Sequence, residues 1–191
     1  MDGEDLKHLL RGVFDTRVFN HGDFNLVYAQ PSGAGNPWTI GYRRQPLELL
    51  LCPVDLDALP EVPADTSIAT VALGNVATLA DTGTGYQVET VTGFRTWFEV
   101  SGAPRVPLPE NLRAHLTALR PGSEEGDDGT LVLEQDEDAE DFHQFMSHFM
   151  DTLESYYAET GETVGSGEAG DETGYETDET PEPAASGDHR P

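Results

Sequence analysis

Glu140-Asp141-Phe142-His143 sets a carboxylate and an imidazole at i and i+3, the spacing that places both on one face of a helix. Carboxylate-bridged di-metal sites use this pair twice and add glutamates from facing helices. The sequence holds no second Glu-x-x-His, so the motif reads as a solvated polar face. His143 and His148 point to different sides of a helix, which excludes the i, i+4 pairing of a helical zinc site. His8, His21 and His115 are scattered, and no metal or cofactor is expected.

Arg43 and Arg44 are the only adjacent basic pair and follow Tyr42. Planar guanidinium forks can grip a carboxylate or phosphate through two parallel hydrogen bonds, which makes Arg43 and Arg44 the candidate anion-binding residues. The competing reading is that each pairs with a neighbouring carboxylate. Cys52, the single cysteine, ends the apolar run Leu49-Leu50-Leu51-Cys52 and reads as a small buried hydrophobe in a reducing compartment. No phosphate-cradling loop, dinucleotide fingerprint, nucleophile elbow or calcium loop is present. No catalytic residue is assigned.

The charge is lopsided: 36 acids face 10 bases, for a net −26, and Lys7 is the only lysine. Such a chain repels nucleic-acid phosphates and anionic membranes, so neither is an expected partner. In concentrated salt, dense like charge is tolerable and carboxylates keep the surface hydrated. A halophilic source fits this composition. Residues 1–120 carry 14 acids and 9 bases, whereas residues 121–191 carry 22 acids and Arg190 alone. The acidic start lacks the features of a secretory signal, and no apolar stretch reaches the roughly 20 residues of a membrane helix. A cytoplasmic location is the expectation.

Hydrophobic residues make up 37% of the chain, below the roughly 45–50% of ordinary globular domains, so part of it should not fold. Beyond residue 159 aliphatic side chains nearly vanish among Gly, Thr, Glu, Asp, Ser and Pro. A segment of that composition cannot offset its ordering entropy. One domain over residues 1–158 and a disordered acidic tail over residues 159–191 are expected.

Within the domain, Leu6, Leu9, Leu10 and Val13 recur at helical spacing and predict a helix over residues 2–15, with His8, Arg11 and Asp15 on its polar face. Strands are predicted over residues 24–30, 38–43, 47–52, 67–73, 75–80, 86–91 and 94–100. The third, apolar almost throughout, should be covered on both faces. Thr92-Gly93 joins the last two as a hairpin, with Phe94, Thr96, Phe98 and Val100 on one face and Arg95, Trp97 and Glu99 on the other. A helix from Pro109 carries Leu112, Leu116 and Leu119 on one stripe, and Leu131-Val132-Leu133 reads as an edge strand or a lead into the next helix.

That helix, predicted over residues 137–158, has the strongest periodicity in the chain: Phe142, Phe145, Met146, Phe149, Met150, Leu153, Tyr156 and Tyr157 share one arc. The expected class is α+β, an antiparallel meandering sheet of six to seven strands packed on one face by N- and C-terminal amphipathic helices. Late hairpins before a C-terminal helix are similar in element order to a pleckstrin-homology-like roll. No family motif carries that likeness, and a fold alone licenses no function.

The expected function is a non-enzymatic interaction, adaptor or regulatory role, binding a protein partner or forming a homodimer. Its candidate contact residues are Phe142, Phe145, Met146, Phe149 and Met150, because flexible methionines beside aromatics suit adaptable surfaces. The alternatives are an enzyme whose site assembles from dispersed His, Asp and Arg, and an acidic mimic of nucleic acid.

Overall fold

The computed structural model describes residues 3–19, 22–59, 67–119 and 129–161. His21 and the expected acidic tail from residue 162 onward lie outside the described residues. The elements run α1 (Gly3–Arg17), β1 (Asn25–Pro31), β2 (Trp38–Arg44), β3 (Leu47–Pro53), β4 (Ala69–Ala72), β5 (Val76–Asp81), β6 (Tyr86–Thr90) and β7 (Arg95–Glu99). There follow β8 (Arg105–Pro107), α2 (Glu110–Leu119), β9 (Thr130–Val132) and α3 (Asp136–Gly161). The α+β class and the antiparallel meander are as the alternation of apolar residues indicates. Helix α3 extends past residue 158, the expected domain boundary.

Seven strands form one antiparallel sheet in the order β4-β3-β2-β1-β7-β6-β5. Strand β1 joins its halves: residues 25–29 pair with β2, while Gln30 and Pro31 pair with β7. The outermost strands, β4 and β5, follow one another in the chain, so the sheet is nearly closed. Asn75 in the turn between them accepts from the Ala72 amide and donates to the Thr70 carbonyl, both at 2.8 Å. The β6–β7 hairpin turns at Gly93, whose φ of 90° is open to glycine and strained for other residues.

The two faces of the sheet are covered by different helices, which corrects the expectation of helices on one face. Val27, Ile40, Leu49, Leu51, Val71, Val76, Val88 and Phe98, drawn from all seven strands, pack with Phe142, Phe145, Met146 and Phe149 of α3. The opposite face receives α1. There Phe14 and Phe24 pack edge to face at 6.0 Å and cluster with Leu50 and Cys52. A Cβ at residue 41 would run into the Phe14 ring, so Gly41 lets α1 seat directly on the backbone of β2. The cause is legible in β3, where alternate residues on both faces are apolar and each face needs a cover.

A second cluster joins Leu6, Leu10 and Val13 of α1 to Leu112 and Leu116 of α2 and to the β8–β9 ribbon through Val106 and Leu131. Leu131 and Val132 thus belong to a strand, and its partner β8 escaped sequence reading because it is only three residues long, follows Pro104 and ends on Pro107. Gln135, buried just before α3, exchanges two 2.9 Å hydrogen bonds with the backbone of Tyr28 and donates to the Ser101 carbonyl at 2.8 Å. Tyr28 lies next to the point where β1 changes partner, and the amide satisfies backbone groups that would otherwise be buried unpaired.

Candidate functional site

The wide apolar arc of α3 is the core of the molecule. Phe142, Phe145, Met146 and Phe149 have no exposed surface, and Met150 packs partly exposed against the same cluster. Tyr42 lies 5.2 Å from the Phe142 ring and 5.0 Å from that of Phe145, with Phe149 next in line at 5.8 Å from Phe145. A helix enclosed by a curved sheet buries more than the usual stripe, which accounts for the width of the arc. A partner can reach Phe142, Phe145, Met146 and Phe149 only if α3 moves off the sheet.

Arg43 and Arg44 do not converge. Adjacent residues of a strand face opposite sides of the sheet, and these two engage different carboxylates. Arg43 binds Glu48, with its Nε at 2.9 Å, and its guanidinium lies 4.5 Å from the centre of the Phe24 ring. Arg44 reaches α3 and donates to Asp141 Oδ1 at 2.8 Å. The adjacent pair therefore does not form a single anion clamp.

Asp141, which the sequence offers only as a member of the Glu140–His143 run, gathers four donors. Its Oδ2 accepts from the Tyr42 hydroxyl at 3.0 Å and from Asn25 and Arg44 at 3.3 Å, beside the Arg44 bond to Oδ1. The Arg44 hydrogen bond holds the Asp141 carboxyl below the usual carboxylate range, with burial working against it. Burial, followed by the bond to Asp141, pushes the Tyr42 phenol well above its ordinary value. The cluster ties the start of α3 to β1 and β2.

His143 also faces the sheet, its Nδ1 2.7 Å from the Tyr86 hydroxyl. Burial pushes the Tyr86 phenol up to about 12. Among the described residues no group of three His, Cys, Asp or Glu side chains is placed to hold a metal ion. Cys52 is fully buried; burial pushes its thiol up, and Arg17 donates to Sγ at 3.0 Å.

Among the described residues, several large apolar side chains are exposed. Val91, Tyr156 and Tyr157 are 67%, 45% and 50% exposed. Two of them bond neighbouring carbonyls at the start of β5: the Tyr157 hydroxyl donates to the Val76 carbonyl at 3.1 Å, and the Val91 amide donates to the Asn75 carbonyl at 2.8 Å. Tyr156 stands edge to face with Tyr157 at 5.9 Å. This patch borders the unclosed seam between β4 and β5. Both tyrosines share the apolar arc with the buried phenylalanines, yet they stand exposed near the end of α3. Comparison with family models, curated proteins and solved structures returns no match.

Proposed function

We propose that this protein is a non-enzymatic interaction module, a cytoplasmic adaptor or regulator that self-associates or binds a protein partner through Val91, Tyr156 and Tyr157. The observation that carries this reading is the exposed Tyr156–Tyr157 pair, tied to the start of β5 by the Tyr157 hydroxyl, next to exposed Val91, whose amide bonds the adjoining Asn75 carbonyl, on a chain of net charge −26. Tyrosine is enriched at interfaces because it combines a large apolar body with a polar tip and few rotatable bonds. The flanking strands β4 and β5 are the edges of the sheet, and edge strands are where strand addition takes place. Seven antiparallel strands nearly closed around a C-terminal helix support reading the framework as a pleckstrin-homology-like roll. The acidic composition supports a setting of concentrated salt, where screening lets two such surfaces approach.

Light scattering in molar KCl tests the patch. The wild-type chain should show a dimer, and the double variant Tyr156→Ser, Tyr157→Ser should dissociate it while melting within a few degrees of wild type. Phe149→Ala is the control: it removes a fully buried ring and should cost roughly 3–5 kcal/mol of stability. A wild-type chain that is monomeric throughout and captures no partner that the double variant fails to capture would end this reading.

A further inference from the structure

The seam of the sheet is bridged at one end and open at the other. Asn75, in the turn between β4 and β5, makes the bridge: its side-chain amide spans the Ala72 N–H and the Thr70 C=O at 2.8 Å each, and its carbonyl receives the Val91 N–H just past β6, also at 2.8 Å. One residue thus stands where a neighbouring strand would run beside the end of β4.

These bonds fix which way β4 faces. The N–H and C=O of a strand residue point to the same side, and that side alternates along the strand. Because the Thr70 C=O and the Ala72 N–H turn away from β3 to meet Asn75, the Thr70 N–H turns away from β3 as well. It is directed toward the open end of the seam.

At that end, between the start of β4 and the β6–β7 turn, lies a cavity of about 360 Å³. Its apolar wall is Trp38, Pro53, Ile68 and Phe94, all half-buried, and the Trp38 and Phe94 rings stand edge to face at 6.1 Å. Thr70 forms one flank, and Thr90 and Thr92, their hydroxyls 2.9 Å apart, form the other. Among the described residues the lining carries no charge, in a chain with 36 acids.

This combination selects its occupant. A neutral lining offers no counter-charge to an ionic head group, whereas a strand edge beside an apolar pocket is what strand addition uses: main-chain bonds along the edge, and a pocket for a side chain on one face of the added strand. The net charge of −26 around the groove complements basic residues on either side of the inserted one.

We propose that the groove binds an extended, basic segment of a partner protein as a strand added to β4. A carbonyl of the segment accepts from the Thr70 N–H, and an aromatic side chain enters between Trp38, Pro53, Ile68 and Phe94. The groove shares no residue with the patch at Val91, Tyr156 and Tyr157, and it does not depend on that reading.

The full chain carrying Trp97→Phe keeps Trp38 as its only tryptophan, so Trp38 emission reports on the groove. In the lowest KCl that holds the fold, the peptide acetyl-KKTFTKK-amide should shift that emission saturably. The charge-reversed acetyl-EETFTEE-amide should bind at least about tenfold more weakly, and the basic peptide with its central amides N-methylated should give no saturable shift. Thr70→Pro removes an N–H that β3 does not use, a substitution an edge strand tolerates; it should melt close to wild type and weaken the basic peptide by about two- to tenfold, the worth of one hydrogen bond. Tyr156→Ser, Tyr157→Ser should bind the peptide as tightly as the parent chain. Absence of a saturable shift up to about 10 mM, where millimolar Kd values register, would overturn the proposal. Equal binding of the N-methylated peptide or of N-acetylphenylalanine amide would make the cavity a small-molecule pocket and overturn it too. So would a Thr70→Pro chain that melts far below wild type, since the N–H would then belong to the β3 ladder, or a peptide shift lost in the tyrosine double variant.

Discussion

Tyr42 on β2 donates its hydroxyl to Asp141 Oδ2 on α3 across 3.0 Å, while Arg44 of the same strand holds the other carboxylate oxygen at 2.8 Å. The two halves of this junction differ in worth. Tyr42 is 1% exposed and its ring packs on Phe142 and Phe145, whereas the Arg44–Asp141 pair lies in partial contact with water and is screened. Tyr42→Phe should therefore cost about 1–2 kcal/mol, in line with a hydrogen bond to a charged group. Combined with Asp141→Ala in a double-mutant cycle followed by urea denaturation, it should show a coupling near 1 kcal/mol. Strict additivity would mean that the hydroxyl does not hold α3 to the sheet.

Three phenols titrate out of their ordinary range. Burial raises Tyr28 and Tyr86 to about 12 and Tyr42 further still. A phenol unfolds into water with a pKa of about 10. The folded state therefore keeps a proton that the unfolded state sheds, and the stabilisation is complete below pH 10 and lost as pH rises through the folded values. Tyr28 and Tyr86 should each remove about 1.4 kcal/mol per pH unit between about pH 10 and pH 12. Urea midpoints measured from pH 8 upward should stay level and then fall steeply. A level midpoint up to pH 12 would contradict the burial of these rings.

Salt acts in two directions on this chain. Exposed pairs such as Arg95–Glu89, joined at 2.7 Å, lose strength as screening grows, but such pairs are worth little in any case. Self-repulsion from a net charge of −26 is relieved at the same time. The screening length falls from about 10 Å in 0.1 M salt to about 3 Å in 1 M, so relief should dominate and the thermal midpoint should climb with KCl into the molar range. A midpoint that stays level or falls would remove the reading of this composition as an adaptation to concentrated salt.

Local spacing alone determined a great deal here. Period-two alternation over residues 86–91 and 94–100, with Thr92-Gly93 between them, defines a hairpin whose buried face carries Thr96 and Phe98 and whose open face carries Arg95 and Trp97. Period-3.6 spacing from Phe142 to Leu153 defines a helix whose apolar arc is buried. Both patterns reflect which neighbours within a few residues share a face, and the chain encodes that locally. The tertiary structure decided what lies far apart in sequence. It set β1 beside β7, placed α1 and α3 on opposite faces, and brought Asp141 to Tyr42 across 99 residues. It also sent Arg43 and Arg44 to separate carboxylates, buried Thr39 Oγ1 without a partner, and left Tyr156 and Tyr157 exposed. No local pattern carries these outcomes, because each depends on where the curved sheet ends and on which side chains its closure brings within hydrogen-bond reach.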